Sequence, residues 1–93
     1  MTGTVRLSSR AKAEYDNLPF ELMDEINQQL GDLAEDPTQG VPVDTNLAPG
    51  GLIFTCFTIN EVLGGIALQI NYYRASDEIT IIVNSITWQA CRI

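Results

Sequence analysis

The sequence predicts an α+β fold in which a helix hairpin packs on an antiparallel sheet, in the order β-α-α-β-β-β. Three observations carry this. Apolar residues recur at helical spacing in two runs between residues 11 and 34, separated by Pro19. Residues 52 to 88 are instead β-branched and aromatic, broken by two short turns. A connector rich in proline and glycine, residues 37 to 51, joins the two halves. A switch of hydrophobic period from 3.6 to 2 along one short chain puts helices and strands in separate layers. Ninety-three residues make one domain, 1–93. A chain of that size buries roughly 60–65% of its unfolded surface.

Thr4–Val5–Arg6–Leu7–Ser8 alternates apolar and polar side chains, as a short first strand does. Ser8–Ser9 then offers an N-cap. Ala11, Tyr15 and Leu18 fall at i, i+4 and i+7, on one helical face. Pro19 disfavours helical geometry in the residue before it and closes this helix. It also opens the next one, whose apolar set is Leu22, Met23, Ile26, Leu30, Leu33 and Ala34. Glu21, Asp24 and Glu25 sit near that helix's N-terminus, where the dipole favours negative charge. Gly31 within it signals close packing or a slight bend. Glu35–Asp36–Pro37 ends it, and a joint at Leu18–Pro19–Phe20 makes the two helices a hairpin.

No strand is expected in the connector, where Gly50–Gly51 permits a tight turn or a close backbone approach. Leu52 to Ile59 is the next strand, and Asn60 to Gly65 holds a turn. Ile66 to Arg74 follows, with Ile66, Leu68, Ile70 and Tyr72 on one face. Ala75–Ser76–Asp77 turns the chain again, and Ile79 to Trp88 is the last strand. Short turns between successive strands make an antiparallel meander.

Composition narrows the function classes. The formal charge is −7, and the basic residues are Arg6, Arg10, Lys12, Arg74 and Arg92. Nucleic-acid binding draws most of its affinity from Lys and Arg on phosphates, so direct nucleic-acid binding is not expected. A basic or neutral protein partner is easier to accommodate. Eight of the twelve acidic residues lie between Glu14 and Asp36. They read first as the solvated face of two amphipathic helices and second as a docking surface for a basic partner. Cys56 and Cys91 lack metal-type spacing and there is no histidine, so neither a metal nor a cofactor is expected. The two thiols read as buried or edge residues. No leader-like h-region and no apolar run of about 20 residues is present, which predicts a cytoplasmic protein without a membrane span.

Residues 5 to 42, VRLSSRAKAEYDNLPFELMDEINQQLGDLAEDPTQGVP, resemble the RelE/ParE family of small bacterial toxins. V-R-L-S-S-R-A-K-A-E-Y-D-N-L-P is similar to that family's first strand and first helix. Leu33–Ala34–Glu35–Asp36–Pro37 followed by Gly40–Val41–Pro42 resembles its exit from the second helix. Tyr73 to Val83 resembles its turn into the last strand. The resemblance implies a cytoplasmic toxin of a type II toxin–antitoxin system, associated with plasmid stabilization and held inactive by a cognate antitoxin. RelE-like members cleave messenger RNA on the ribosome, and ParE-like members inhibit DNA gyrase.

The departures from the family pattern fall at its chemistry. RelE-like nucleases place arginines on the two strands after the connector, and the nearest positions here are Phe54 and Ala67. They place His, Arg or Tyr after the last strand, where this chain has Asn84–Ser85–Ile86–Thr87–Trp88–Gln89. RNA cleavage needs a base, an acid and cationic stabilisation of the phosphate. The expectation is therefore a toxin, or a degenerate relative, that acts by protein binding in the ParE manner. Two alternatives remain: a ribosome-dependent endoribonuclease with an atypical site, and a non-catalytic module that forms homodimers through its sheet edge or Trp88.

Weak catalytic candidates are Arg74, Tyr73 and Trp88; the partner-binding candidates are Tyr15, Tyr72, Tyr73, Arg74, Trp88 and Arg92. Tyr72 and Tyr73 must point to opposite faces of their strand, one into the core and one outward. Arg74 reads as a strand-end cation for a phosphate or a carboxylate. Trp88 covers the sheet edge or anchors an interface. Ser8 and Ser9 have no histidine to activate them and read as capping residues.

Overall fold

A computed structural model describes residues 4–42, 51–75, 77 and 79–91. Of the sequence expectations, those on Gly50, Ser76, Glu78 and Arg92 lie outside the described residues. Strand β1 is Thr4–Leu7, helix α1 Ser9–Asp16 and helix α2 Met23–Glu35. Strand β2 is Val41–Pro42, β3 Gly51–Asn60, β4 Gly64–Arg74 and β5 Thr80–Cys91. Single 3-10 turns, Phe20–Leu22 and Pro37–Gln39, precede and follow α2.

The five strands form one sheet in the order β1-β5-β4-β3-β2. The pairs β2–β3, β3–β4 and β4–β5 are antiparallel, as the meander predicts, but β1 pairs with β5 in parallel. The sheet is therefore mixed. The reason is topological: the chain leaves β1 through both helices, and a crossover of that length can bring a later strand alongside in the same direction.

Ser8 anchors that joint. Its side chain caps α1 by accepting from Ala11 N at 3.1 Å and donates to Asn84 O at 3.2 Å. Its own N–H donates to Val83 O at 2.9 Å. One serine thus ends β1, starts α1 and ties both to β5. Across the helix layer, the Tyr15 hydroxyl donates to Asn27 Oδ1 at 2.6 Å.

The core is the apolar stripe Leu22, Ile26, Leu30 and Leu33, which runs from the 3-10 turn into α2 and packs on the helix-facing side of β4 and β5. The β4 face expected from alternation is buried: Ile66, Leu68, Ile70 and Tyr72 expose 2% or less. On β5 the alternation changes phase. Asn71 pairs with Ser85 but Tyr72 pairs with Val83, so Asn84 is an extra residue in a β-bulge. The bulge allows Ile81 and Val83 on one side of it, and Ile86 on the other, to reach the same core.

The connector is fastened by Tyr72. Its hydroxyl donates to Pro37 O at 2.6 Å and accepts from Gly40 N at 2.9 Å. A Cβ on Gly40 would lie 2.5 Å from that hydroxyl, so only glycine admits the ring so close. This contact lays Val41–Pro42 against Ile53–Leu52 as β2, a strand the sequence does not announce. Gly31 does not mark close packing. It is exposed, and a Cβ there would meet nothing within 4 Å.

Gly31→Ala should raise stability by about 0.5–1 kcal/mol, by helix propensity and a less flexible unfolded chain. Tyr72→Phe should cost about 1–3 kcal/mol, because Gly40 N and Pro37 O lose their shared partner. Urea unfolding checks both, as shifts in midpoint at an unchanged slope.

Candidate partner-binding surfaces

Strand alternation divides the sheet into a helix-facing side and an open side. The open side carries Thr55, Phe57 and Ile59 from β3, Ala67, Gln69, Asn71 and Tyr73 from β4, and Thr87 and Gln89 from β5. Among the described residues, β3, β4 and β5 put no charged side chain on that side. Arg6 stands on β1 opposite Ile82, at the margin of the sheet. Phe54 pairs with Ile70 and packs against the core, whereas Ala67 lies on the open side opposite Phe57.

The catalytic candidates are not brought together. Tyr73 is half-buried on the open side, while Arg74 is exposed at the end of β4 opposite Ile81. Trp88 pairs with Leu68, six residues from Arg74 along β4, a separation of about 20 Å at the usual strand rise. Tyr72 is the core member of the tyrosine pair. Burial raises its pKa, the Gly40 N–H lowers it, Asp36 raises it and Arg74 lowers it. The Cys56 thiol is raised by burial and by the Glu25 carboxylate, which takes it away from the reactive thiolate. Cys56 and Cys91 are both free thiols. Tyr15 is half-buried and engaged with Asn27.

Two surfaces have a shape that receives a partner. The first is a hollow of about 360 Å³ between α1 and β5, lined by Glu14, Asn17, Leu18, Ile86 and Trp88 among others. Glu14, read from the sequence as part of a solvated acidic face, does specific work here. β1 ends opposite Val83, and beyond it the β5 backbone has no strand neighbour on that side among the described residues. Glu14 accepts from Ile86 N at 3.3 Å and from Ser85 Oγ at 3.4 Å, and faces Arg10 Nε at 3.6 Å. Trp88, 38% exposed, forms one wall of the hollow.

The second is a cleft of about 490 Å³ between the start of α2 and the β3–β4 turn. Phe20, Ile59 and Val62 line it and are 87%, 68% and 71% exposed. Glu21, Asp24, Glu25 and Glu61 ring them, and among the described residues no Lys or Arg lines the cleft. Asn60 builds it. Its Nδ2 donates to Glu21 O at 2.9 Å and Glu25 Oε1 at 3.4 Å, while its Oδ1 accepts from Val62 N and Leu63 N. Gly64, at φ +81°, completes the turn. Glu25 Oε2 is buried without a hydrogen-bond partner. Sequence reasoning missed this cleft. It reads Asn60 as a turn residue and Phe20 as a helix joint, and nothing local says that the two meet.

No family model matches this sequence, and no curated protein matches it. The match is to solved structures. A chain of the RelBE2 toxin–antitoxin complex from Mycobacterium tuberculosis aligns with a TM-score of 0.76 at 20% identity, over 96% of this chain and 100% of that one. A chain of the intact Escherichia coli RelBE toxin–antitoxin complex aligns at 0.63 and 15% identity, over 97% and 99%. The isolated Escherichia coli RelE toxin aligns at 0.64 and 15% identity, over 98% and 87%. The two helices on a five-stranded sheet are thus the RelE toxin fold, the architecture that the sequence resemblance implied.

Two aspartates outside these surfaces clamp turns. Asp77 is held below the ordinary carboxylate value of 3.8 chiefly by the Thr80 hydroxyl, then by the Thr80 N–H, with smaller help from the Ile79 N–H and Arg6. Asp36 is lowered by the Thr38 hydroxyl and N–H. A carboxylate depressed in the folded state contributes stability above its unfolded pKa and loses it as pH falls through the folded one. The urea midpoint should therefore be flat from neutral pH down to about 5 and fall below about 4. An Asp36→Asn, Asp77→Asn double variant should show a shallower acid limb.

Proposed function

We propose that this protein is the toxin component of a type II toxin–antitoxin pair, or a degenerate relative of one, and that it acts by binding protein, in the ParE manner. The observation that carries this reading is the open side of the sheet, uncharged from β3 to β5 among the described residues. Phosphoryl-transfer chemistry needs preorganised positive charge where the transition state develops negative charge. Removal of a single such donor typically costs about 10²–10³ in rate. A surface of Thr, Gln, Asn, Ala and aromatic side chains supplies none. It is suited to contact with another protein.

The partner in this reading is a cognate antitoxin. The acidic, apolar cleft around Phe20 and Val62 takes a segment that presents apolar side chains beside Lys or Arg. Its affinity then falls as salt screens the charges. The target of a ParE-like toxin would be gyrase. The other reading, a RelE-type endoribonuclease on the ribosome, is compatible with the fold, but it would have to work with Tyr73 and Arg74 on opposite sides of β4 and with Trp88 about 20 Å along the sheet from Arg74.

Induced expression in a bacterial host, with soluble protein verified in the same cells, should arrest growth. Purified protein should then inhibit DNA supercoiling and leave ribosome-bound messenger RNA intact. Arg74→Ala should reduce the effect less than about tenfold, as loss of a rim contact does, whereas an enzyme relying on that arginine would lose 10²–10³. Cleavage of ribosome-bound messenger RNA that Arg74→Ala abolishes would overturn the protein-binding reading. Phe20→Ala with Val62→Ala should weaken antitoxin capture and leave the fold unchanged, measured by calorimetry against circular dichroism.

A further inference from the structure

Strand β3 presents an unprotected edge over a defined window. β2 covers Leu52 and Ile53 at one end, and the turn begins after Asn60 at the other. Between them, Phe54 to Asn60 has no strand on its outer side among the described residues. Monomeric proteins blunt such edges with charge, proline, a bulge or a covering element. Here the window reads FTCFTIN, without charge or proline. The β3–β4 register runs without a shift. The helices pack chiefly against β1 and β5 and leave β3 on the flank.

We infer that this edge pairs with the same edge of a second copy, antiparallel about a two-fold axis, joining two five-stranded sheets into one of ten strands. The window itself sets the register. It holds seven residues, and its midpoint is Phe57, 57% exposed. Centred pairing puts Phe57 against Phe57 of the second copy, Thr55 against Ile59, Cys56 against Thr58 and Phe54 against Asn60. The two most exposed apolar side chains of the strand, Phe57 and Ile59, are then covered on the open side. Directly opposed aromatic residues add to the stabilisation that backbone pairing gives.

Charge decides the occupant. The seven residues carry no carboxylate of their own for a basic segment to pair with, and an acidic one would enter the field of a chain with formal charge −7. The nearest carboxylates, Glu25 and Glu61, stand at the Asn60 end, so antiparallel pairing keeps those of the two copies at opposite ends of the interface. A second copy brings an uncharged strand of matching length, and this is the stretch where two such chains meet without opposed like charges. The other exposed stretch, on β5 beyond Val83, has the Glu14 carboxylate beside it and would bring two such carboxylates together. The whole-molecule charges still repel, so added salt tightens this dimer, opposite in sign to ion-paired docking in the acidic cleft. The inference is independent of any toxin activity.

The experiment is sedimentation velocity from low micromolar to several hundred micromolar, at low and at high salt. A reversible dimer that strengthens with salt is expected. Phe57→Lys should weaken it about tenfold or more by opposing two cations at the axis. Gln28→Lys, on an exposed α2 position with the same charge change, should leave it unchanged. In a C56S/C91S background, F57C should oxidise to a cross-linked dimer. T55C should not, because its two copies stand about 13 Å apart along the strands, too far for a disulfide. A wild-type chain that stays monomeric at several hundred micromolar would overturn the inference. So would a dimer indifferent to Phe57→Lys, or cross-linking through T55C as readily as through F57C.

Discussion

The parallel pairing of β1 with β5 joins two segments more than seventy residues apart and ties the helix layer to the sheet. β1 is four residues long and has no other strand neighbour among the described residues. Until β5 arrives, its backbone groups and those of Ser8 have no partners within the sheet. The helices share the same joint, because the Ser8 that caps α1 is also held to Val83 and Asn84. The antiparallel strands β3, β4 and β5 can pair locally through short turns. The loop closed by β1 spans nearly the whole chain, so its entropic cost falls late, after the meander exists to receive it.

A second constraint is the segregation of charge. Most of the acids lie on the helices and the β3–β4 turn, while the open side of the sheet is neutral over β3, β4 and β5 among the described residues. Concentrated like charge on α2, whose Asp24, Glu25, Asp32 and Glu35 have no basic residue among them, costs stability through self-repulsion. The apolar stripe of α2 against Ile66, Leu68, Ile70 and Ile86 offsets it. The same segregation gives two regions of the molecule opposite responses to ionic strength: the acidic cleft loses affinity for a cationic partner as salt rises, and the neutral strand edge gains contact.

The fold was largely legible because its main elements each obey one period. The helical spacing of Leu22, Ile26, Leu30 and Leu33 and the alternation of Ile66, Leu68, Ile70 and Tyr72 name the two sides of the core directly. What escaped reading is what depends on contacts between distant residues. β2 exists because the Tyr72 hydroxyl reaches Pro37 and Gly40, more than thirty residues back. The parallel sense of β1 is a property of topology, and no side chain encodes it. The candidate surfaces were legible only as composition: the acids are visible in the sequence, but the meeting of Phe20, Glu25, Asn60 and Val62 is not. Trp88 reads from the sequence as an edge cover or an interface anchor, and its neighbours on α1 come from the packing of a helix that begins nearly eighty residues earlier.

The bulge at Asn84 gives β5 two reading frames. Before it, odd-numbered residues face the helices, and after it even-numbered ones do. Deletion of that single residue would join the two frames into one regular alternation, with Val83 still opposite Tyr72 and Ser85 still opposite Asn71. Trp88 would keep its place beside α1, and Thr87 and Gln89 theirs on the open side. The extra residue is thus slack in the strand: β5 can lose one residue there and keep every other side chain on its face. In a lineage that drops that codon, both faces of β5 persist, so the strand's length at Asn84 is free to vary where its composition is not.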